Sequence, residues 1–157
     1  MTTTADFSDL DVREVPFDHA DSFLLRSAQQ AEISSRYGVD DSEPGTKPSA
    51  SDVAAFFVAY VDGMPAGCGG LRPLSNEEHE IKRMYVTPAH RGTGISTAVL
   101  ATLESTARER GVTRLVLETG TLQPDAIRFY EREGYTLIPN FGAYVDSPIS
   151  VCYAKPL

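Results

Sequence analysis

The stretch Met84-Tyr85-Val86-Thr87-Pro88-Ala89-His90-Arg91-Gly92-Thr93-Gly94-Ile95-Ser96 decides the fold. Strand-favouring residues run to a proline, a turn with two glycines follows, and the turn opens directly into a periodic segment. There Ile95, Val99, Leu103 and Ala107 recur at every fourth position, which predicts an amphipathic helix over 95–110 with Gly111 as its stop. A strand, glycine turn and helix in this order gather backbone N–H groups into one concavity. The helix N-terminus adds its unpaired donors and the positive end of its dipole. Arg91 sets a formal charge beside them. Such a cradle suits a pyrophosphate, but two glycines also serve a plain tight connection, and the turn alone leaves both readings open. No Gly-Lys-Ser/Thr follows, so an ATP-hydrolysing P-loop loses its main support, and a two-glycine turn in mid-chain is not the dinucleotide fingerprint.

Upstream of this junction, residues 80–86 read as a strand ended by Pro88. Residues 56–61 and 66–74 flank Asp62-Gly63, a hairpin signal. Gly67, Gly69 and Gly70 in the second of these strands point to a bulge or a close backbone approach. Residues 10–15 form a first strand before Pro16, and Asp18 is a plausible N-cap for a helix over 20–37 that stops at Gly38. The turn-forming run 39–51 reads as an exposed loop. Downstream come a strand at 115–118, a helix over 123–133 stopped by Gly134, and strands at 135–138 and 151–155 joined by the loop 139–150. This order predicts an α/β chain with one mixed sheet and helices on both faces, after a polar lead-in of residues 1–9.

At 157 residues the chain has the length of one domain. Its 41% hydrophobic and 23% charged residues exclude global disorder. With 14 basic against 22 acidic residues the net charge is -8, which argues against a nucleic-acid binder relying on a basic surface. The charge is uneven. Residues 1–52 hold 11 acids and 4 bases, net -7, and the remainder 11 acids and 10 bases, net -1. The near-neutral part is the better place for an anionic ligand, although scattered acids also serve simply to solvate a surface. The longest apolar run, residues 53–61, has about half of the ~20 residues a membrane helix needs, so it reads as a buried strand and no membrane is expected. Residues 1–9 lack the basic and apolar segments of a secretory signal, which sets the expectation at cytoplasmic. Cys68 and Cys152 read as buried free thiols rather than a disulfide. His19, His79 and His90 share no metal-ligand spacing, and no Ser-His-Asp or Cys-His arrangement stands out, so no metal is expected.

From about Phe56 to Tyr135 the chain resembles the GNAT N-acetyltransferase superfamily. Its acyl-CoA signature, Arg/Gln-x-x-Gly-x-Gly/Ala, is matched by Arg91-Gly92-Thr93-Gly94-Ile95-Ser96 except at the last position, where Ser96 is small but neither Gly nor Ala. A second family block, Asn-x-x-Ala-x-x-x-Tyr-x-x-x-Gly-Phe/Tyr, is similar to the segment from Gln123 through Ala126 and Tyr130 to Gly134-Tyr135, with Gln123 in the Asn position. The resemblance implies the GNAT fold, with a mostly antiparallel sheet, and acetyl-CoA as co-substrate. It implies that backbone N–H groups from Arg91, Gly92, Thr93, Gly94, Ile95 and Ser96 hold the pyrophosphate. Met84, Tyr85 and Val86 would pair with the pantetheine arm, and Gln123 would contact the cofactor. The Leu117-Glu118-Thr119-Gly120, Phe141-Gly142-Ala143-Tyr144 and Ser150-Val151 segments resemble a YsnE-like bacterial subgroup. An auxin-related label attaches to that subgroup, which makes indole-3-acetate a conceivable acceptor, although no residue selects it.

Direct transfer of acetyl to an amine of a small molecule or peptide needs a group to take the ammonium proton and a donor for the departing thiolate. By resemblance Tyr130 is the acid; without it, the residue reads as a helix tyrosine packing near Ala126. Glu80 stands where many relatives carry a base acting through water, and it also suits a carboxylate paired with Lys82. Regular alternation puts Glu80, Lys82 and Met84 on one face and Ile81, Arg83 and Tyr85 on the other. Glu118 is either a partner for Arg83 or part of the acceptor cleft. Tyr37, Arg36, Arg72 and Tyr144 lie in segments that line the acceptor side in this fold, and each also suits a packing or surface role. A non-catalytic acyl-CoA sensor and a transferase for a longer acyl group are the alternatives. A homodimer fits the family.

Overall fold

Strand β2 (Ala55–Val61) is buried along its whole length, and this explains the apolar run. Phe57, Ala59 and Val61 point into one core, and Phe56, Val58 and Tyr60 into a second core across the sheet. The strand is covered on both faces, so polar alternation is lost. The structure is a computed structural model describing residues 9–39 and 43–157. The lead-in expected over 1–9 thus falls outside the described residues, except for Asp9.

The remaining strands are β1 (Leu10–Glu14), β3 (Met64–Pro73), β4 (Glu78–Val86), β5 (Arg114–Gly120), β6 (Thr136–Ile138) and β7 (Ser150–Pro156). The helices are α1 (Ala20–Tyr37), α2 (Ile95–Glu109) and α3 (Pro124–Arg132). Among the described residues the strands form one seven-stranded sheet in the order β1-β2-β3-β4-β5-β7-β6, all neighbours antiparallel except β4 and β5. Ile95, Val99, Leu100, Leu103 and Ala107 of α2 fill the larger core, and Leu25 of α1 fills the smaller one. The fold is the mixed, mostly antiparallel sheet with helices on both faces that the sequence predicts. None of the described helices is long and apolar enough to cross a membrane.

Local sequence accounts for the joints. Asp62 and Gly63 both adopt positive φ, +50° and +80°, as a two-residue hairpin turn with right-handed strand twist requires. Helix α1 spans the residues the sequence suggests, 20–37, but its N-cap lies one residue later. His19, not Asp18, is its N-cap, and its Nδ1 accepts from the Asp21 N–H at 3.0 Å. Gly38 ends it in the left-handed conformation. Cys68 and Cys152 are buried free thiols.

Two features differ from expectation. Strand β4 is bulged opposite Gly69, with Cys68 facing Tyr85 and Gly70 facing Lys82, so Arg83 and Met84 together oppose one residue. Arg83 has φ +61°. Regular alternation therefore fails. Met84 joins Ile81 at the α2 core, and Tyr85 lies in the α1 core with Phe56. A side chain on Gly69 would meet Met84 Sδ at 2.5 Å, so the glycine is what lets the bulge pack. The loop predicted to be exposed is also partly inside: Pro48 is buried and Glu43 is ion-paired to the sheet.

Candidate active site

Parallel pairing of β4 with β5 covers only Glu78, His79 and Glu80 against Arg114, Leu115 and Val116. Beyond that point a cavity opens between Ile81–Met84 on one side and Glu118, Thr119 and Gly120 on the other. A second, larger groove of about 470 Å³ runs past Met84, Tyr85 and Val86 to Arg91, Gly92, Gly94, Ile95 and Ser96. The two share Gln29, Ile33, Met84, Gln123, Ala126 and Tyr130. The bulged strand, the start of α3 and the middle of α1 therefore meet at one junction.

At the far end of the larger groove, Gly92 and Gly94 adopt φ +74° and +90° with open space where a Cβ would stand. Conformation, not crowding, is what requires glycine there. Gly94 caps α2, whose first N–H groups have no intrahelical acceptor. Thr93 Oγ1 donates to the His90 carbonyl within the turn. Arg91 donates from Nε to the Val86 carbonyl at 3.0 Å and, through both terminal nitrogens, to Glu32 of α1 at 2.8 and 2.7 Å. The Arg91 hydrogen bond holds the Glu32 carboxyl below the usual range. Nine of the ten residues expected from the sequence to contact a cofactor, from Met84, Tyr85 and Val86 through the turn to Gln123, thus line one groove, and the tenth, Thr93, braces the turn from within.

Tyr130 is 6% exposed at the junction, ring-packed against Phe129 and Tyr135. Burial raises its phenol pKa, so it stays protonated. Gln29 Nε2 donates to the Met84 carbonyl at 2.9 Å, which fixes that amide and leaves its Oε1 without a partner among the described residues.

The smaller cavity is floored by charge. Glu80 is 1% exposed and does not line it. Arg72 donates to Glu80 Oε1 at 3.1 Å and Tyr144 to Oε2 at 2.6 Å. Lys82 Nζ donates to Tyr144 Oη at 3.0 Å and to Glu43. Burial and the Glu80 carboxylate push the Tyr144 phenol up. Arg72 and Tyr144, expected as acceptor contacts, therefore stand behind the wall. Arg72 also binds the Thr46 carbonyl and lies 3.7 Å from Asp52. Glu118 does line the cavity, accepting from Ser150 Oγ at 2.9 Å; burial raises its carboxyl pKa, partly offset by that bond. Arg83 pairs with Glu43 instead of Glu118. Tyr37 lines the cavity and accepts from the Leu122 N–H at 3.1 Å, over Gly120, where a Cβ would lie 1.6 Å from its hydroxyl. Arg36 borders the larger groove instead. Gln29, Glu32 and Glu43 had no sequence signal beyond being polar.

A profile of the acetyltransferase (GNAT) family matches residues 23–135, and the chain belongs to that family; it is an acyltransferase. It is 37% identical over 103 residues to an IAA acetyltransferase of Azospirillum brasilense, spanning 65% of this chain and 67% of that one. It is 35% identical over 104 residues to the uncharacterised N-acetyltransferase YsnE of Bacillus subtilis, spanning 65% and 69%. A crystal structure from Klebsiella pneumoniae described as an acyl-CoA N-acyltransferase superposes with a TM-score of 0.81 at 30% identity, covering 94% of this chain and 97% of that one.

Proposed function

We propose that this protein transfers acetyl from acetyl-CoA directly to an amine, with no covalent enzyme intermediate. The observation that supports it is the junction at Met84 and Tyr130, where an anion-suited groove opens onto a charged acceptor cavity. The groove fits the co-substrate. Gly92, Gly94 and the start of α2 offer N–H groups to the pyrophosphate, and the part of β4 released from its neighbour offers an edge to an amide-bearing arm. Acetyl-CoA supplies an activated thioester carbonyl. The chain's residues handle the protons. Tyr130 donates from its hydroxyl to the leaving sulfur as the C–S bond breaks. The attacking amine loses a proton to a carboxylate as the C–N bond forms.

Glu43 also lines the cavity but is paired with both Lys82 and Arg83, which hold it ionised, so two other carboxylates are weighed as the base. Glu118 borders the cavity, and burial raises its proton affinity. Glu80 reaches the cavity through Tyr144 and Lys82. We assign the proton pickup to Glu118, with Glu80 holding Lys82 and Tyr144 in place. The Tyr144 bond at 2.6 Å favours a second reading in which Glu80 takes the proton by relay. The Azospirillum relative brings indole-3-acetate into the acceptor panel. The test is thiol release from acetyl-CoA across amines, amino acids, aminoglycosides, peptides and indole acids, with acetyl-CoA binding followed in parallel. Release with one class supports acetyl transfer; binding without release across the panel supports an acyl-CoA sensor. A faster rate with a longer acyl-CoA would identify a different donor.

A further inference from the structure

Lys82 and Arg83 are chain neighbours, and a regular strand would send them to opposite faces. The bulge undoes this. With Arg83 at φ +61°, both side chains reach the carboxylate of Glu43, Lys82 at Oε1 and Arg83 at Oε2, the latter at 2.5 Å. A left-handed backbone at a residue with a Cβ is strained and persists only where the surroundings hold it. Here it aims a second cation at the point the first one faces. The side chains of Lys82 and Arg83 are only 8% and 15% exposed, in the wall of the acceptor cavity. The acid that meets them comes from the loop between α1 and β2, not from the sheet. Glu80, the other acid beside Lys82, is already held by Arg72 and Tyr144. Two cations converging on one carboxylate form a carboxylate-binding geometry. It lies one and two residues along β4 from Met84, within several ångströms of the junction at about 3.3 Å per residue.

We propose that the acceptor is an amine carrying its own carboxylate a few bonds away, of amino-acid type. That carboxylate binds Lys82 and Arg83, and Glu43 holds its place until the acceptor arrives. The inference rests on the amine-acetylation reading and adds the acceptor class to it. A second carboxylate cannot share the pair without like-charge repulsion, so Glu43 must swing away and weakens acceptor binding by competition.

The test compares amino acids with their carboxamides, which differ only in the group facing the pair. Thiol release from acetyl-CoA should favour the acids by about tenfold or more in kcat/KM, the scale of a charged hydrogen-bonded contact. Calorimetry with N-acetyl amino acids and their amides reads the same preference without turnover. Glu43→Gln should widen the acid-to-amide ratio through a lower KM for the acids; Arg83→Met should narrow it. Equal use and equal binding of acids and amides would overturn the inference while leaving acetyl transfer intact. An unchanged ratio in Glu43→Gln would overturn the place-holding role. Preferential binding of the acids with no thiol release from any amine would keep the carboxylate site and overturn the transfer reading.

Discussion

At the scale of single residues, the Tyr130 hydroxyl has no hydrogen-bonding partner among the described residues to explain its presence, while its ring has two. The ring packs edge-on against Phe129 and Tyr135 at 5.1 and 5.7 Å, contacts that phenylalanine would keep. Tyr130→Phe should therefore lower kcat by about 10²-fold, the usual scale of a lost general acid. Acetyl-CoA affinity should stay within about twofold, because the packing is conserved. Turnover measured against calorimetric binding checks this, and a parallel fall in both would make the tyrosine a cofactor contact. Burial also makes the phenol a weaker acid, so its donation accompanies C–S cleavage and does not precede it. pH dependence combined with substitution tests Glu118 as the base. A base works only when deprotonated, and burial raises the Glu118 carboxyl above the ordinary carboxylate range. kcat/KM should accordingly fall as pH drops through that raised value, and Glu118→Gln should remove this acid limb along with most of the rate. If Glu80→Gln removes the limb and Glu118→Gln does not, the proton leaves by the Tyr144 relay.

At the scale of elements, α1 spans the site. Gln29 binds the Met84 carbonyl, Glu32 binds Arg91 and Tyr37 binds the Leu122 N–H. Glu32 places a negative charge in the groove proposed for a pyrophosphate, on the arginine beside the glycine turn. Removing the charge in Glu32→Gln should tighten acetyl-CoA binding about threefold to tenfold, more at low salt than at high salt. Weaker binding would mean that the carboxylate serves to position Arg91. The elements themselves were largely legible in the sequence. The Asp62-Gly63 turn, the glycine turn before α2 and the stops at Gly38 and Gly134 all follow from φ values that glycine or a turn residue adopts cheaply. Gly67, Gly69 and Gly70 signalled a bulge or a close approach, and the β3–β4 register does slip between Cys68 and Gly70. That the extra residue lies on β4 was not legible: Arg83 at φ +61° is imposed by tertiary packing, and no property of arginine announces it. Nor did the 39–51 run reveal that Glu43 turns inward. Its composition is that of a solvated loop, and what draws the acid in is a pair of cations about 40 residues further along the chain.

At the scale of the whole molecule, paired and buried ionisable groups couple stability to pH. His79 is 7% exposed on β4, with Nδ1 lacking a hydrogen-bond partner among the described residues. Burial, reinforced by the Arg110 charge, lowers its pKa. Between that lowered value and the unfolded value of about 6.5, the unfolded chain binds more protons than the native one. Stability therefore rises with pH across this window; the contribution is complete above about 6.5 and is lost as pH falls through the native value. Glu32 and Glu43, both held below the ordinary carboxylate value of 4.5, extend the loss to lower pH. Glu118 opposes them, because its raised pKa favours the folded state only while protonated, and that share disappears as pH rises above the carboxylate range. The windows separate the contributions. Melting temperature should fall between pH 7.5 and 5.5, where each ~1 kcal/mol amounts to about 2–4 °C for a chain of this size. His79→Gln should flatten the curve in that interval and leave the steeper loss below pH 4.5 in place. A slope between pH 7.5 and 5.5 that survives His79→Gln would assign the coupling to another group, and a slope of opposite sign would mean that the imidazolium finds a partner in the folded state.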